Sequence, residues 1–225
     1  MKTNPRACRT RGLTFLEAVA LAAALFMGLV VLWPMLSRRG CGGSAPRINC
    51  VSNLKQIGLG MRMWANDNGD KFPWQVSSET NGTLEFAEST EVFRHFVVLS
   101  NELASPKVLA CKSDEKISRV TDWTNLNNAH LSYFIGLDSN EAFPQTILSG
   151  DRNITGGVLA SNGVVRLSST NEAGWNQEMH KAAGNIGLAD GSAMQVTVNS
   201  LRKQIQAALL STNVDALRFS IPKPN

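Results

Sequence analysis

Glu17 is the only ionisable side chain in residues 13–36, LTFLEAVALAAALFMGLVVLWPML. A charge at the centre of a bilayer costs ~2.5–3.5 kcal/mol on insertion scales, so a carboxylate in such a run calls for a partner. Near one edge the cost is lower, and Glu17 can instead sit at headgroup depth, where it favours the positive end of its own helix. The three histidines, His95, His130 and His180, are spread along the chain, and no H-E-x-x-H, G-x-S-x-G or Walker pattern accompanies them. His180 with Asp190 is the one pair of acid–base type, and Asp190 has a sufficient role as a turn residue before Gly191. This reads as a chain without catalysis. Cysteines stand at 8, 41, 50 and 111 with no C-x-x-C pair and no histidine at zinc-ligand spacing, which argues against a metal knuckle. Cys50 and Cys111 are left either as a disulfide, if the chain is exported, or as two buried thiols. Sequence separation does not give the ~5.5–6 Å Cα spacing a bridge requires.

The formal charge of +4 would suit a nucleic-acid partner, but its location does not. Lys2, Arg6, Arg9 and Arg11 all precede residue 13, and without residues 1–12 the chain carries 18 basic and 18 acidic side chains. No nucleic-acid partner is expected. Residues 13–36 are long enough for a helix to cross ~30 Å of hydrocarbon. The basic residues ahead of them, against Arg38 and Arg39 behind, favour a cytoplasmic N-terminus and an exported bulk. The apolar run ends in Trp33-Pro34-Met35-Leu36, which does not suit signal cleavage at its far end. Pro34 removes a helical hydrogen bond and should kink or end the span.

Arg11-Gly12-Leu13-Thr14-Phe15-Leu16-Glu17 resembles the processing motif of type IV prepilins and type II secretion pseudopilins. In that family a basic leader ends in Gly, and Glu stands fifth in the mature chain. Leu13 occupies a position where Phe is usual and where the family is N-methylated. The resemblance implies cleavage between Gly12 and Leu13 by a prepilin peptidase. It also implies an inner-membrane anchor with a periplasmic head, assembly with other pilin-like subunits through the N-terminal helix, and contact with the secretion machinery of the inner membrane. Glu17 of one subunit would then face the new terminal amine of its neighbour, and Pro34 stands where pilin helices commonly bend. Asn49-Cys50-Val51-Ser52-Asn53-Leu54-Lys55-Gln56-Ile57-Gly58, with His180 and Gly184 to Gly191 near the other end, resembles the pilin-like proteins of planctomycetes and verrucomicrobia. The competing reading is an uncleaved single-pass envelope or ligand-binding protein, favoured by the Gly-rich residues 37–46.

The expected organisation is a leader over 1–12, an anchor helix over 13–36, a Gly-rich linker over 37–46 and an α+β head over 47–225. In the head, an amphipathic helix packs on an antiparallel sheet. Ile48, Val51, Leu54, Ile57, Met61 and Trp64 recur at helical spacing. A second helix is predicted at about 90–103, capped by Ser89 or Thr90, with a short strand over Lys107–Cys111. Candidate strands are Leu131–Leu137, Thr146–Leu148, Val158–Ala160, Val164–Leu167, Ile186–Ala189 and Ala193–Val198, with Asn162-Gly163 and Asp190-Gly191 turning two hairpins. A helix of about ten residues capped by Asn199 or Ser200 follows, then a tail holding Pro222 and Pro224. No cofactor is assigned. The family resemblance leaves room for calcium in loops around Asp138, Asn140, Glu141 and Asp151. Asn66, Asn68 and Asp70 alternate as in a calcium loop but lack the acidic residue that an EF-hand places at its end.

Overall fold

The computed structural model describes residues 15–36, 45–160 and 162–223, with side chains described over 15–30, 47–160 and 162–223. Gly12 and Leu13 lie outside the described residues, as does the linker up to residue 44. The chain divides into two compact units, 1–42 and 43–225. In the first, α1 runs Phe15–Leu36 with Glu17 in its opening turn and Pro34 two residues before its end. Its described side chains end at residue 30. Among the described residues no helix is long and apolar enough to cross a membrane.

The second unit is α+β. Its first element, α2 (Ala45–Asp67), starts two residues earlier than expected and takes Pro46 into its first turn, where a missing N–H costs no helical bond. Leu54, Ile57, Met61 and Trp64 are buried as their spacing requires, whereas Ile48 is 65% exposed and is no part of the core. The Asn68 side chain donates to the Trp64 carbonyl at 2.7 Å, satisfying one of the acceptors orphaned at the helix end.

The predicted helix at 90–103 shrinks to a single turn, α3 (Arg94–Val97). Around it the backbone makes i→i+3 bonds, among them His95 to Val92, Leu99 to Phe96 and Glu102 to Leu99. Val92, Val97, Val98, Ser100 and Asn101 are weak helix formers, so packing of Val92, Phe96, Leu99 and Leu103 decides the path instead. The strand expected over Lys107–Cys111 is a 3₁₀ turn over Pro106–Leu109, capped by the Ser105 hydroxyl, which accepts from the Lys107 N–H. Proline at its first position pre-sets that geometry.

Among the described residues nine strands follow: β1 (Tyr133–Gly136), β2 (Ile147–Asp151), β3 (Ile154–Thr155), β4 (Val158–Leu159), β5 (Val164–Ser168), β6 (Gly174–Trp175), β7 (Gly184–Leu188), β8 (Ala193–Val196) and β9 (Ala216–Ser220). Seven form one antiparallel sheet in the order β4-β5-β9-β1-β2-β7-β8, and β3 pairs with β6. The segment expected to be a C-terminal tail thus contributes β9, which lies inside the sheet between β5 and β1. Both predicted hairpins form, each with four residues between its strands. Gly191 donates to the Leu188 carbonyl and Gly163 to that of Ala160. Only the glycine of each Asx-Gly pair has positive φ, 83° and 84°.

Side chains alternate across the sheet and build a core on each face. Tyr133, Ile135, Leu148 and Val164 pack with α2 and the 72–126 region. Phe134, Ile147, Ile186, Leu188 and Phe219 pack with α4 (Val198–Thr212). That helix is longer than predicted and is capped by Thr197, whose hydroxyl accepts from the Ser200 N–H.

Candidate functional site: a buried cysteine, histidine and carboxylate cluster

Cys50 lies on the second turn of α2, and Cys111 stands two residues beyond the 3₁₀ turn Pro106–Leu109. A disulfide joins them, with their Cα atoms 5.5 Å apart. Both cysteines are buried. The Cys111 N–H donates to the Ser132 hydroxyl at 2.8 Å, and the Ser113 N–H donates to the Cys111 sulfur at 3.4 Å.

His180 closes the cluster. Its Nε2 lies 3.4 Å from Cys111 Sγ and 3.4 Å from Asp151 Oδ2. The loop carrying it is held in an uncommon conformation, because His180, Lys181 and Ala182 have φ of 49°, 53° and 57°. Left-handed backbone at consecutive residues with a Cβ costs on the order of 1–2 kcal/mol each. The surroundings fix it in place. The Arg47 guanidinium donates to the His180 carbonyl. The Asn153 amide donates to the carbonyls of Asn176 and Met179.

Asp151, the last residue of β2, is fully buried. Its Oδ2 accepts from the N–H and the side-chain amide of Asn185 on β7, both at 2.8 Å, while its Oδ1 has no hydrogen-bond partner. Burial pushes its pKa up to about 8, opposed by the two Asn185 bonds and reinforced by the Asp114 carboxylate. Burial, followed by the Arg47 charge, holds His180 below its ordinary value, with Asp114 acting in the opposite sense. At neutral pH the close contact is therefore between a protonated acid and a neutral imidazole. Burial and Asp151 also raise the Tyr133 hydroxyl well above its usual value, and that hydroxyl accepts from the Asn53 amide at 3.2 Å.

Beside the cluster runs an ion-pair network. Arg152 grips Asp114 with two bonds of 2.7 Å, and the two side chains are only 7% and 1% exposed. Asp114 also accepts from the Ser132 hydroxyl at 3.1 Å. Ser132 thus links the backbone of Cys111 to the ion pair.

Other residues singled out by sequence lie elsewhere. Asp190 is an exposed turn residue that caps the Ser192 N–H, so the partner of His180 is Asp151 instead. His95 is buried, 2.7 Å from the Thr83 hydroxyl, and burial holds its pKa down at about 4. His130, the last residue of a 3₁₀ turn, contacts Ser118. The four residues suggested for calcium do not converge. Asp138 pairs with Arg218, Glu141 with Arg62, Asn140 caps the Ala142 N–H, and Asp151 lies in the cluster. Among the described residues the one grouping of three metal-ligand side chains is Cys50, Cys111 and His180. Cysteine spacing alone could not have found it, because His180 lies 69 residues beyond Cys111.

No family model, curated protein or solved structure matches this chain. The cluster must therefore be interpreted from its own chemistry. In the disulfide form it is a cross-link with a neutral polar lining; opened, it presents two sulfurs, an imidazole and a carboxyl group facing one another.

Proposed function

We propose that this chain is a structural subunit of a pseudopilus or type IV pilus-like filament, made as a precursor and cut between Gly12 and Leu13 by a prepilin peptidase. One observation carries the reading. The basic leader and the Gly12-to-Glu17 run lead directly into an uninterrupted helix, α1, on which Phe15, Leu16, Leu25, Phe26, Met27 and Leu29 are all exposed. A large exposed apolar surface marks a membrane or protein contact. A helix over all of residues 13–36, two residues longer than the described α1, would rise ~36 Å against ~30 Å of hydrocarbon.

In a filament the α-ammonium of Leu13 on one subunit would pair with Glu17 of its neighbour, a pairing that sets axial register as well as neutralising charge. Ala18, Ala20, Ala22, Ala23, Ala24 and Gly28 would let adjacent helices approach closely. The head would stand on the periplasmic side of the inner membrane, where a disulfide persists. An α-helix packed on an antiparallel sheet is compatible with such a head. Mass spectrometry of the protein from its native host tests the proposal: the mature chain should begin at Leu13, and an intact Met1–Gly12 segment would overturn it.

A second reading, an uncleaved tethered envelope protein, is favoured by the glycines at 40, 42 and 43 near the boundary between the two compact units. Single cysteines placed within residues 18–28 separate the two readings. Filament subunits should crosslink between copies through them, whereas a lone tether should not.

A further inference from the structure

We infer that Cys50, Cys111 and His180 form a zinc-class metal site when the disulfide is reduced, with the Asp151 carboxyl group beside His180. The inference stands independently of the filament reading, since it rests only on the interior of the second unit.

Donor spacing is the first support. One ligand atom from each of Cys50, Cys111 and His180 falls within 4.8 Å of the other two, and all three residues are buried. A tetrahedral ion with bonds of ~2.0–2.3 Å sets its ligand atoms ~3.3–3.8 Å apart. His180 Nε2 already stands at 3.4 Å from both Cys111 Sγ and Asp151 Oδ2. The two sulfurs, which are now bonded, separate on reduction.

Donor chemistry is the second. Two sulfurs and an imidazole select zinc and its soft or borderline neighbours over calcium and magnesium, which take oxygen ligands. A carboxylate oxygen without a partner, Asp151 Oδ1, belongs to the same side chain that touches His180. Surrounding bonds also hold the donors in place. Ser113 N–H points at the Cys111 sulfur, Asn185 fixes the Asp151 carboxyl, and Arg47 and Asn153 fix the His180 loop.

The two states exchange through a balanced step. A dithiol reductant supplies two electrons and two protons, its own disulfide forms, and the Cys50–Cys111 bond becomes two thiols. Metal binding then releases both thiol protons to solvent. The same buried residues would thus hold a covalent bridge under oxidising conditions and a metal bridge under reducing ones.

The test uses the full chain purified in detergent. It is reduced with a phosphine, desalted without oxygen and titrated with Co²⁺. The reduced protein should take up one equivalent with thiolate-to-cobalt charge-transfer and tetrahedral d–d bands, and Zn²⁺ should abolish both. The untreated disulfide form should show neither. His180→Ala, which leaves both cysteines able to pair, should lower cobalt affinity at least about tenfold, as loss of ligation or its support does. Near-UV circular dichroism of the reduced chain, before and after Zn²⁺, reads the fold alongside. Absence of the bands in the reduced protein would overturn the inference. So would equal affinity in His180→Ala, or reduction that unfolds the head with no recovery on adding Zn²⁺.

Discussion

Replacing both bridge cysteines, Cys50→Ala with Cys111→Ala, should destabilise the second unit by about 4 kcal/mol. The two cysteines are 61 residues apart in sequence. In the chain-entropy treatment, closing a loop of that length removes roughly 14 cal/mol/K from the unfolded ensemble, which is about 4 kcal/mol at 25 °C. The Cα spacing of 5.5 Å lies within the ordinary range for a bridge, so the native chain need not deform to make it. Against a typical domain stability of roughly 5–15 kcal/mol this is a large fraction, and for a unit of this size it corresponds to a Tm lower by about 8–16 °C. Urea titrations of the full chain, followed by tryptophan fluorescence with a chelator present, give the difference directly. The wild type treated with a phosphine reductant should match the double variant. A loss below about 1 kcal/mol would refute the reasoning, since it would mean that residues 50–111 stay closed without the bridge and that loop entropy is not what the disulfide removes.

Arg152→Met should cost about 3–5 kcal/mol, because it leaves the buried Asp114 carboxylate without its countercharge; the double variant with Asp114→Asn should recover part of that loss in denaturant titrations. Asp151 should reduce stability as pH rises. From the ordinary carboxylate range to about 8 the folded state holds a proton that the unfolded state has lost, so the wild type should weaken relative to Asp151→Asn across that window and level off above it. His95 works in the opposite sense: held at about 4 when folded, it contributes stability that is lost as pH falls below ~6.5. Between pH ~4 and ~6.5 the two slopes oppose each other, so the fall due to Asp151 should be plainest between ~6.5 and about 8, and urea midpoints measured at several pH values would reveal any other order. Glu17→Ala should leave membrane insertion intact while reducing incorporation into filaments, measured by comparing membrane and sheared-filament fractions; normal incorporation would remove Glu17 from the assembly mechanism.

Local pattern determined much of this protein. The Leu54, Ile57, Met61 and Trp64 stripe specified α2 because one face of a helix repeats every three or four residues. Asn162-Gly163 and Asp190-Gly191 specified two hairpins, since each needed a residue that tolerates positive φ. The processing motif and Glu17 are likewise matters of adjacency, and they remain a reading of the sequence. Tertiary structure decided what depends on distant partners. Residues 90–103 had the apolar spacing of a helix, yet their contacts with the core outweighed a weak intrinsic preference and left one turn. Ala216–Ser220 alternates Leu217 and Phe219 with Arg218, but two prolines close behind obscured a strand whose hydrogen-bond partners lie on β1 and β5. The buried cluster is the strongest case. Cys50 comes from a helix, Cys111 from just beyond a 3₁₀ turn, Asp151 from a strand and His180 from a left-handed loop, and only the packing of α2 against the sheet brings them together. Short-range periodicity cannot encode that meeting, because a ligand set assembled across the fold has no spacing of its own.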